Sequence, residues 1–369
     1  MRSGRQPFPE LETPALLIDE SRLSDNLADV QALAKQSGRA LRPHIKSHKS
    51  VYLAKRQLEL GATGVAVAKL SEAVVMAAAG IHDIQIANQI IGTSRIRTLV
   101  ELSYLARVSC AIDHLDNAQE LSDAFHERGL RLPVLVEVDT GLNRCGVRGQ
   151  EELETLYREV LQLPGVEVIG IMTHAGHAYA AQSREEVARI GKREGRTMGE
   201  MAIQLRKLGF PVDVVSVGST PTARFAAIQE GVTELRVGNY LFNDRIQVAL
   251  GTVGLDRCAL GVLATIISRT RDQAVCDAGS KALTTEAGAH GSNLVQGHGV
   301  IEGMSLTVTR LSEEHGIIAD AEQRLSIGRR VRLIPNHACP VVNLFDRAYL
   351  VDGEKILEEI IIDARGCSQ

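Results

Sequence analysis

Tryptophan is absent from the 369-residue chain, and Phe, Tyr and Trp together make up 3% of it. So few aromatics argue against a base-stacking nucleic-acid surface. Excess charge of one sign is also lacking. Against 45 Asp and Glu stand 41 Lys and Arg, a formal net charge of −4, so no basic surplus points to a phosphate backbone. Long apolar runs are missing too. No segment approaches the roughly 18 apolar residues of a membrane span, and MRSGRQPFPELETP at the N-terminus has no apolar stretch of signal-peptide length. The six cysteines (Cys110, Cys145, Cys258, Cys276, Cys339, Cys367) are scattered and form no C-x-x-C pair. That spacing fits reduced thiols, so the expected location is cytoplasmic, with neither nucleic acid nor membrane as a partner.

What is present is ordinary globular composition, 44% hydrophobic and 23% charged. The length suggests two domains, or one barrel with an appendage. ALLID (15–19) leads into a helix-like stretch that Ser21 can cap and Gly38 stops. Further strands are expected at 40–45, 64–68, 83–87, 107–112, 133–139, 166–172, 212–217 and 232–238, and the first seven of these are followed by helix-like segments. Continuous apolar runs of this kind fit buried parallel strands. The pattern predicts an α/β fold, a (β/α)8 barrel, with a doubly wound sheet as the competing count. After residue 248 the strands follow one another without amphipathic helices between them. The expected division is therefore 1–248, the barrel with its N-terminal strand, and 249–369, a C-terminal β-rich domain.

Barrel chemistry sits at the carboxyl ends of the strands. There the chain places His44 and Lys46, Lys69, Asn88, VDTGLNRCGV (138–147), THAGHAY (173–179), VGSTPTA (217–223) and GNYLFND (238–244). The turns at Gly218–Thr220 and Gly238–Asn239 offer backbone N–H groups and hydroxyls suited to a phosphate, although GSTPTA also reads as a plain helix cap. Lys46 is expected across the same mouth. A buried lysine facing a phosphate site suggests pyridoxal 5'-phosphate (PLP). Strand alternation in LRPHIKSHK (41–49) would turn His44, Lys46 and His48 to one side and Lys49 elsewhere. In PNHACP (335–340), His337 and Cys339 would share one face of a strand. They could be a Zn2+ pair or a core cysteine beside a chance histidine.

Nearly end to end, through ETPALLID, LRPHIKSHK, GVAVAKLSEA, EVDTGLNRCGV, GSTPT, SEEHGII and PNHACPVVNL, the chain resembles the fold-type III PLP enzymes. Within this alanine-racemase-like superfamily it is most similar to the D-serine dehydratase/D-threonine aldolase family. The resemblance implies that Lys46, not Lys49, carries PLP and that His174 stacks on its ring. It also implies that Gly218, Ser219, Thr220, Gly238, Asn239 and Tyr240 hold the phosphate. Arg236 would face the ring nitrogen, and Arg144 and Tyr179 join the cofactor-facing set. His337 and Cys339 would bind a divalent metal, Zn2+ or Mn2+. Glu137 stands where racemases often have lysine, and no counterpart of their C-terminal catalytic tyrosine is found. The implied activity is a lyase on D-amino acids with a β-hydroxyl, working as a homodimer. The H-x-C and G-S-T-P-T pair leans toward D-serine dehydratase-type elimination. The alternatives are D-threonine aldolase chemistry, an amino-acid racemase, or a PLP-binding carrier.

Overall fold

The computed structural model describes residues 6–288 and 294–369. β1 (Ala15–Asp19) leads into the helix Glu20–Ser37. Asp19 caps that helix, its Oδ1 accepting from Arg22 N–H at 3.0 Å. Ser21 was the expected cap, but it is already inside the helix, whereas Asp19 has the extended backbone a cap requires. Gly38 stops the helix at φ 68, a left-handed conformation that glycine adopts freely.

Eight parallel strands then alternate with helices: β2 (Ala40–Leu41), β3 (Val65–Val67), β4 (Asp83–Gln89), β5 (Arg107–Ile112), β6 (Leu132–Glu137), β7 (Val166–Met172), β8 (Val214–Val217) and β9 (Glu234–Leu235). They pair in the order β2-β9-β8-β7-β6-β5-β4-β3. The two ends of that order meet. His44, just past β2, bridges Ala66 of β3, and Ala66 N–H donates to Pro43 O at 2.8 Å. A doubly wound sheet keeps two open edges; this one closes into the (β/α)8 barrel. Alternation along β6 shows how the interior is filled. Val134 and Val136 pack into the main core, whereas Leu135 joins Ala111 and Met172 in a separate cluster. Glu137, two residues beyond Leu135, reaches the barrel mouth.

The second sheet comprises β10 (Leu260–Arg269), β11 (Gln273–Cys276), β12 (Gly299–Ile301), β13 (Thr307–Leu311), β14 (Gly316–Ala319), β15 (Arg330–Pro335), β16 (Arg347–Asp352) and β17 (Lys355–Ile361), together with β1. β1 lies in the interior of this sheet, antiparallel to β10 and parallel to β16. The N-terminal strand expected in the barrel half therefore belongs to the other sheet. Leu17 packs with Leu263 and Val351 on one face, while Leu16 and Ile18 enter the main core on the other. A strand buried on both faces reads the same whichever sheet receives it. No helix among the described residues is long and apolar enough to cross a membrane.

Candidate active site

Past His44 the chain does not continue as a strand. Ile45–Ser47 forms a single 3-10 turn, closed by His48 N–H and Lys49 N–H donating to Ile45 O at 2.9 and 2.7 Å. The turn, not strand alternation, sets the side-chain directions. His44 and Lys46 line a cavity of about 390 Å3 at the barrel mouth. His48 points away from it and is fully buried. Its Nδ1 accepts from Ser50 N–H at 3.1 Å, and its Nε2 lies 3.2 Å from Gln57 Oε1. Lys49 is not solvated: its Nζ donates to Glu72 Oε1 at 2.6 Å and to Cys367 O at 2.9 Å.

The two lysines thus differ in availability. The Lys49 ammonium is held by a buried carboxylate. The Lys46 ammonium makes no ion pair with a carboxylate among the described residues. Burial, with Arg144 and Arg236 nearby, lowers the Lys46 pKa from the usual lysine range, outweighing the opposing pull of Cys339 and Glu72.

Around Lys46 the cavity wall gathers the cofactor-facing candidates Arg144, His174, Tyr179, Ser219, Thr220 and Arg236. His174 Nδ1 lies 3.0 Å from Gly218 O, which places the ring proton on that nitrogen. Burial first, then the Lys46 charge, pulls the His174 pKa well down, so the ring is neutral. Arg236 is buried and donates to Ser216 Oγ and Thr173 O, both at 2.5 Å. Arg144 rides on the loop after β6, with Nη2 3.5 Å from Glu137 Oε1. Tyr179 stands in the 3-10 turn Gly176–Ala180, and burial pushes its phenol pKa up.

Gly238 and Asn239 also line the cavity; Gly218 and Tyr240 do not. Gly218 N–H donates to Glu194 Oε1 at 2.9 Å, and Glu194 Oε2 accepts from Thr222 Oγ1 at 2.7 Å. Gly218 therefore shapes its turn, and its amide is already used. The Tyr240 hydroxyl accepts from Gln57 Nε2 at 2.9 Å, on the far side of the Lys46 turn. Lys46 is also not across the mouth from these turns. β2 pairs with β9, so the two turns are neighbours. A Cβ on Gly238 would lie 2.7 Å from Ser47 Oγ and 2.8 Å from His44 O.

His337 and Cys339 reach the same cavity from the second sheet, but not as alternate residues of a strand. β15 ends at Pro335, and His337 is the N-cap of a short helix, Ala338–Val342. Asp244 Oδ2 accepts Ala338 N–H at 2.9 Å and Asn239 Nδ2 at 2.6 Å, tying this helix to the turn after β9. His337 Nδ1 lies 2.9 Å from Glu286 Oε2, and Cys339 Sγ lies 3.2 Å from Ser47 Oγ. Burial opposes charge on both residues, yet each sustains the other: His337 draws the thiol pKa down, and Cys339 with Glu286 holds the imidazole pKa well above its usual value.

The chain matches the family model of the alanine racemase N-terminal domain over residues 18–245 and that of a serine dehydratase domain over residues 259–351. It is 35% identical to D-threonine aldolase of an Arthrobacter species, covering 98% of this chain and 95% of that one. With D-threo-3-hydroxyaspartate dehydratase of Delftia the identity is 34%, covering 89% and 91%. The chain belongs to the D-serine dehydratase/D-threonine aldolase family. A solved D-threonine aldolase from Filomicrobium marinum superposes with a TM-score of 0.91 at 30% identity, covering 99% and 98%. A solved variant of the D-threo-3-hydroxyaspartate dehydratase with one cysteine changed to alanine is in the metal-free form.

The residues present fit PLP and could hold a metal ion. Lys46 is a half-buried lysine of lowered pKa with no carboxylate partner among the described residues, and Ser219 and Thr220 line the same cavity. His337 and Cys339 offer an imidazole and a thiol, and with Glu286 on Nδ1 it is Nε2 that could meet a metal. No group of three His, Cys, Asp or Glu side chains poised for a metal occurs among the described residues. Two protein ligands would leave the open positions that a catalytic metal needs. Sequence spacing missed Ser47, Glu194, Asp244 and Glu286. Ser47 was within reach, being the neighbour of Lys46. Glu286 lies 51 residues before its histidine, and no pattern in the chain announces it.

Proposed function

We propose that this chain is a PLP- and divalent-metal-dependent lyase of D-amino acids bearing a β-hydroxyl, acting by D-serine dehydratase-type elimination. The observation that carries this reading is one cavity shared by the unpaired Lys46 and the His337–Cys339 pair. When bound, PLP supplies an electron sink for the bond broken at Cα, and the metal supplies Lewis acidity toward the β-oxygen. Lys46 would hold the cofactor and is the base at hand for the Cα proton. Its lowered pKa suits it to act as a base. His174, neutral and fixed by Gly218 O, would lie against the cofactor, and Arg236 would face the ring nitrogen. Ser219, Thr220, Gly238 and Asn239 would take the phosphate. His337 and Cys339 would hold the metal that assists loss of the β-hydroxyl. The net change is loss of water, then its return by hydrolysis to give a 2-keto acid and ammonia.

The same residues serve a retro-aldol reaction, in which the β-hydroxyl loses its proton and Cα–Cβ breaks. The aldolase relatives keep this second reading in view. Elimination is favoured by the H-x-C pair with the G-S-T-P-T turn and by the dehydratase relative. Incubation of the PLP- and Zn2+-loaded protein with D-serine and D-threonine decides it. Keto acid with ammonia supports elimination; glycine with acetaldehyde and no ammonia overturns it in favour of the aldolase. A homodimer is proposed alongside, supported by the family resemblance. A sedimentation mass of one chain would count against it.

A further inference from the structure

We propose that Lys69 is the anchor for the substrate's α-carboxylate. This assignment rests on the lyase reading above, because it needs an amino acid in the cavity. A carboxylate entering a partly desolvated site needs a charged donor. Four lysine and arginine side chains line the cavity: Lys46, Lys69, Arg144 and Arg236. Three are committed. Lys46 is reserved for the cofactor. Arg236 is spent on Ser216 Oγ and Thr173 O. Arg144 faces the buried carboxylate of Glu137. Of the three cavity histidines, His337 is engaged by Glu286 at 2.9 Å, and burial lowers the pKa of His44 and His174.

The Lys69 ammonium enters no ion pair with a carboxylate among the described residues, although an acid lies close along the chain. Glu72, three residues on, spends one oxygen on Lys49 Nζ at 2.6 Å. Its other oxygen accepts the backbone N–H groups of Ala68 and Lys69 at 2.7 and 3.2 Å. Asn88 Nδ2 donates to Ala68 O at 3.1 Å. The backbone of Lys69 is therefore pinned at the start of the helix Leu70–Ala78, while its side chain borders the cavity. β2 and β3 meet at the His44–Ala66 bridge, so Lys46 and Lys69 rise from neighbouring positions of the ring. An amine and a carboxylate on one carbon call for partners on neighbouring elements, as these two lysines are.

The test uses the PLP- and metal-loaded protein and two variants, Lys69→Met and Lys69→Arg. Lys69→Met should raise KM for the D-β-hydroxy amino acid about ten- to hundredfold, with a much smaller change in kcat. Lys69→Arg, which keeps the charge, should recover most of that loss. The amino alcohol made by reducing the carboxylate of D-threonine, followed through the cofactor absorbance, should bind the wild type and Lys69→Met equally. An unchanged KM in Lys69→Met overturns the assignment, as does equal weakening of the amino alcohol. If Lys69→Met fails to load cofactor, the arginine variant decides: a KM raised as far as the methionine change was expected to raise it overturns the assignment. A wild type that neither binds nor converts any D-β-hydroxy amino acid removes the lyase reading and this assignment together. A wild type that does so beside an unaffected Lys69→Met removes only the latter.

Discussion

Cys339 Sγ and Ser47 Oγ lie 3.2 Å apart, although 292 residues separate them in the chain. Ser47 directly follows Lys46, so this contact fastens the proposed metal pair of one sheet to the lysine turn of the other. It sets the proposed Cα base and a proposed metal ligand side by side.

Removing that tie, or the one on the imidazole, should weaken the metal and spare the cofactor. Ser47→Ala and Glu286→Gln are each expected to lower Zn2+ affinity by about ten- to hundredfold, as loss of a hydrogen-bond partner behind a ligand commonly does. Competition with a chromophoric chelator measures the affinity, and the PLP absorption band reports loading. Unaltered Zn2+ affinity in Glu286→Gln would show that its 2.9 Å contact with His337 does not support a metal.

Lys46 and Lys49 should fail in different ways. Lys46→Ala should retain the fold and lose both the Schiff-base absorption and activity. Lys49→Ala strips the partner from Glu72, which is 1% exposed, and should destabilise the fold by about 3 kcal/mol. Its folded fraction should still form the Schiff base. Absorption spectra with urea titrations separate the two, and a Lys46→Ala protein with the wild-type band would reassign the cofactor lysine.

Gly238→Ala should push the turn after β9 off the Lys46 turn. The added Cβ would meet Ser47 Oγ at 2.7 Å and His44 O at 2.8 Å, and the second is backbone that cannot swing aside. A stability loss of about 1–3 kcal/mol is expected, together with weaker PLP binding. Equilibrium dialysis and thermal melts check both, and a fully loaded variant of native stability would show that the two turns can separate freely.

His48 should make the protein acid-sensitive. Burial, opposed by its contacts with Gln57 and Ser50, lowers its pKa from 6.5 to about 4. Between those values the unfolded chain binds the proton that the folded chain refuses. Stability is therefore full above pH 6.5 and falls as the pH drops toward 4, by about 3 kcal/mol for this one residue. Urea titrations at several pH values should show a shallower decline in His48→Gln than in the wild type. Identical slopes would mean that the imidazole does not remain neutral.

The chain announces its barrel because buried parallel strands must be apolar runs, and its mouth because polar residues follow those runs. Lys46 and His174 were legible for that reason, whereas Arg236 came from the family resemblance and Cys339 from the H-x-C spacing. Side-chain direction was less legible where the backbone leaves the strand. The 3-10 turn at Ile45–Ser47 turns His48 inward, and the cap at His337 ends the alternation assumed for PNHACP. Gly218 misled because a glycine in a phosphate-like turn looks the same whether its amide meets an anion or Glu194. The contacts of Glu286 with His337 and of Asp244 with Ala338 span long stretches of chain that no local pattern announces, so only the fold could reveal them.

The placement of β1 between β10 and β16 has a consequence for synthesis. Residues 15–19 emerge from the ribosome before both of their sheet neighbours, which come from 260 onward and from 347 onward. The whole barrel is made while this strand waits unpaired. The C-terminal half expressed alone would have a gap in the middle of its sheet, flanked by two sticky edges. Supplying the first twenty or so residues in trans as a peptide should fill that gap, so the two halves of this protein are better regarded as one folding unit than as separable modules.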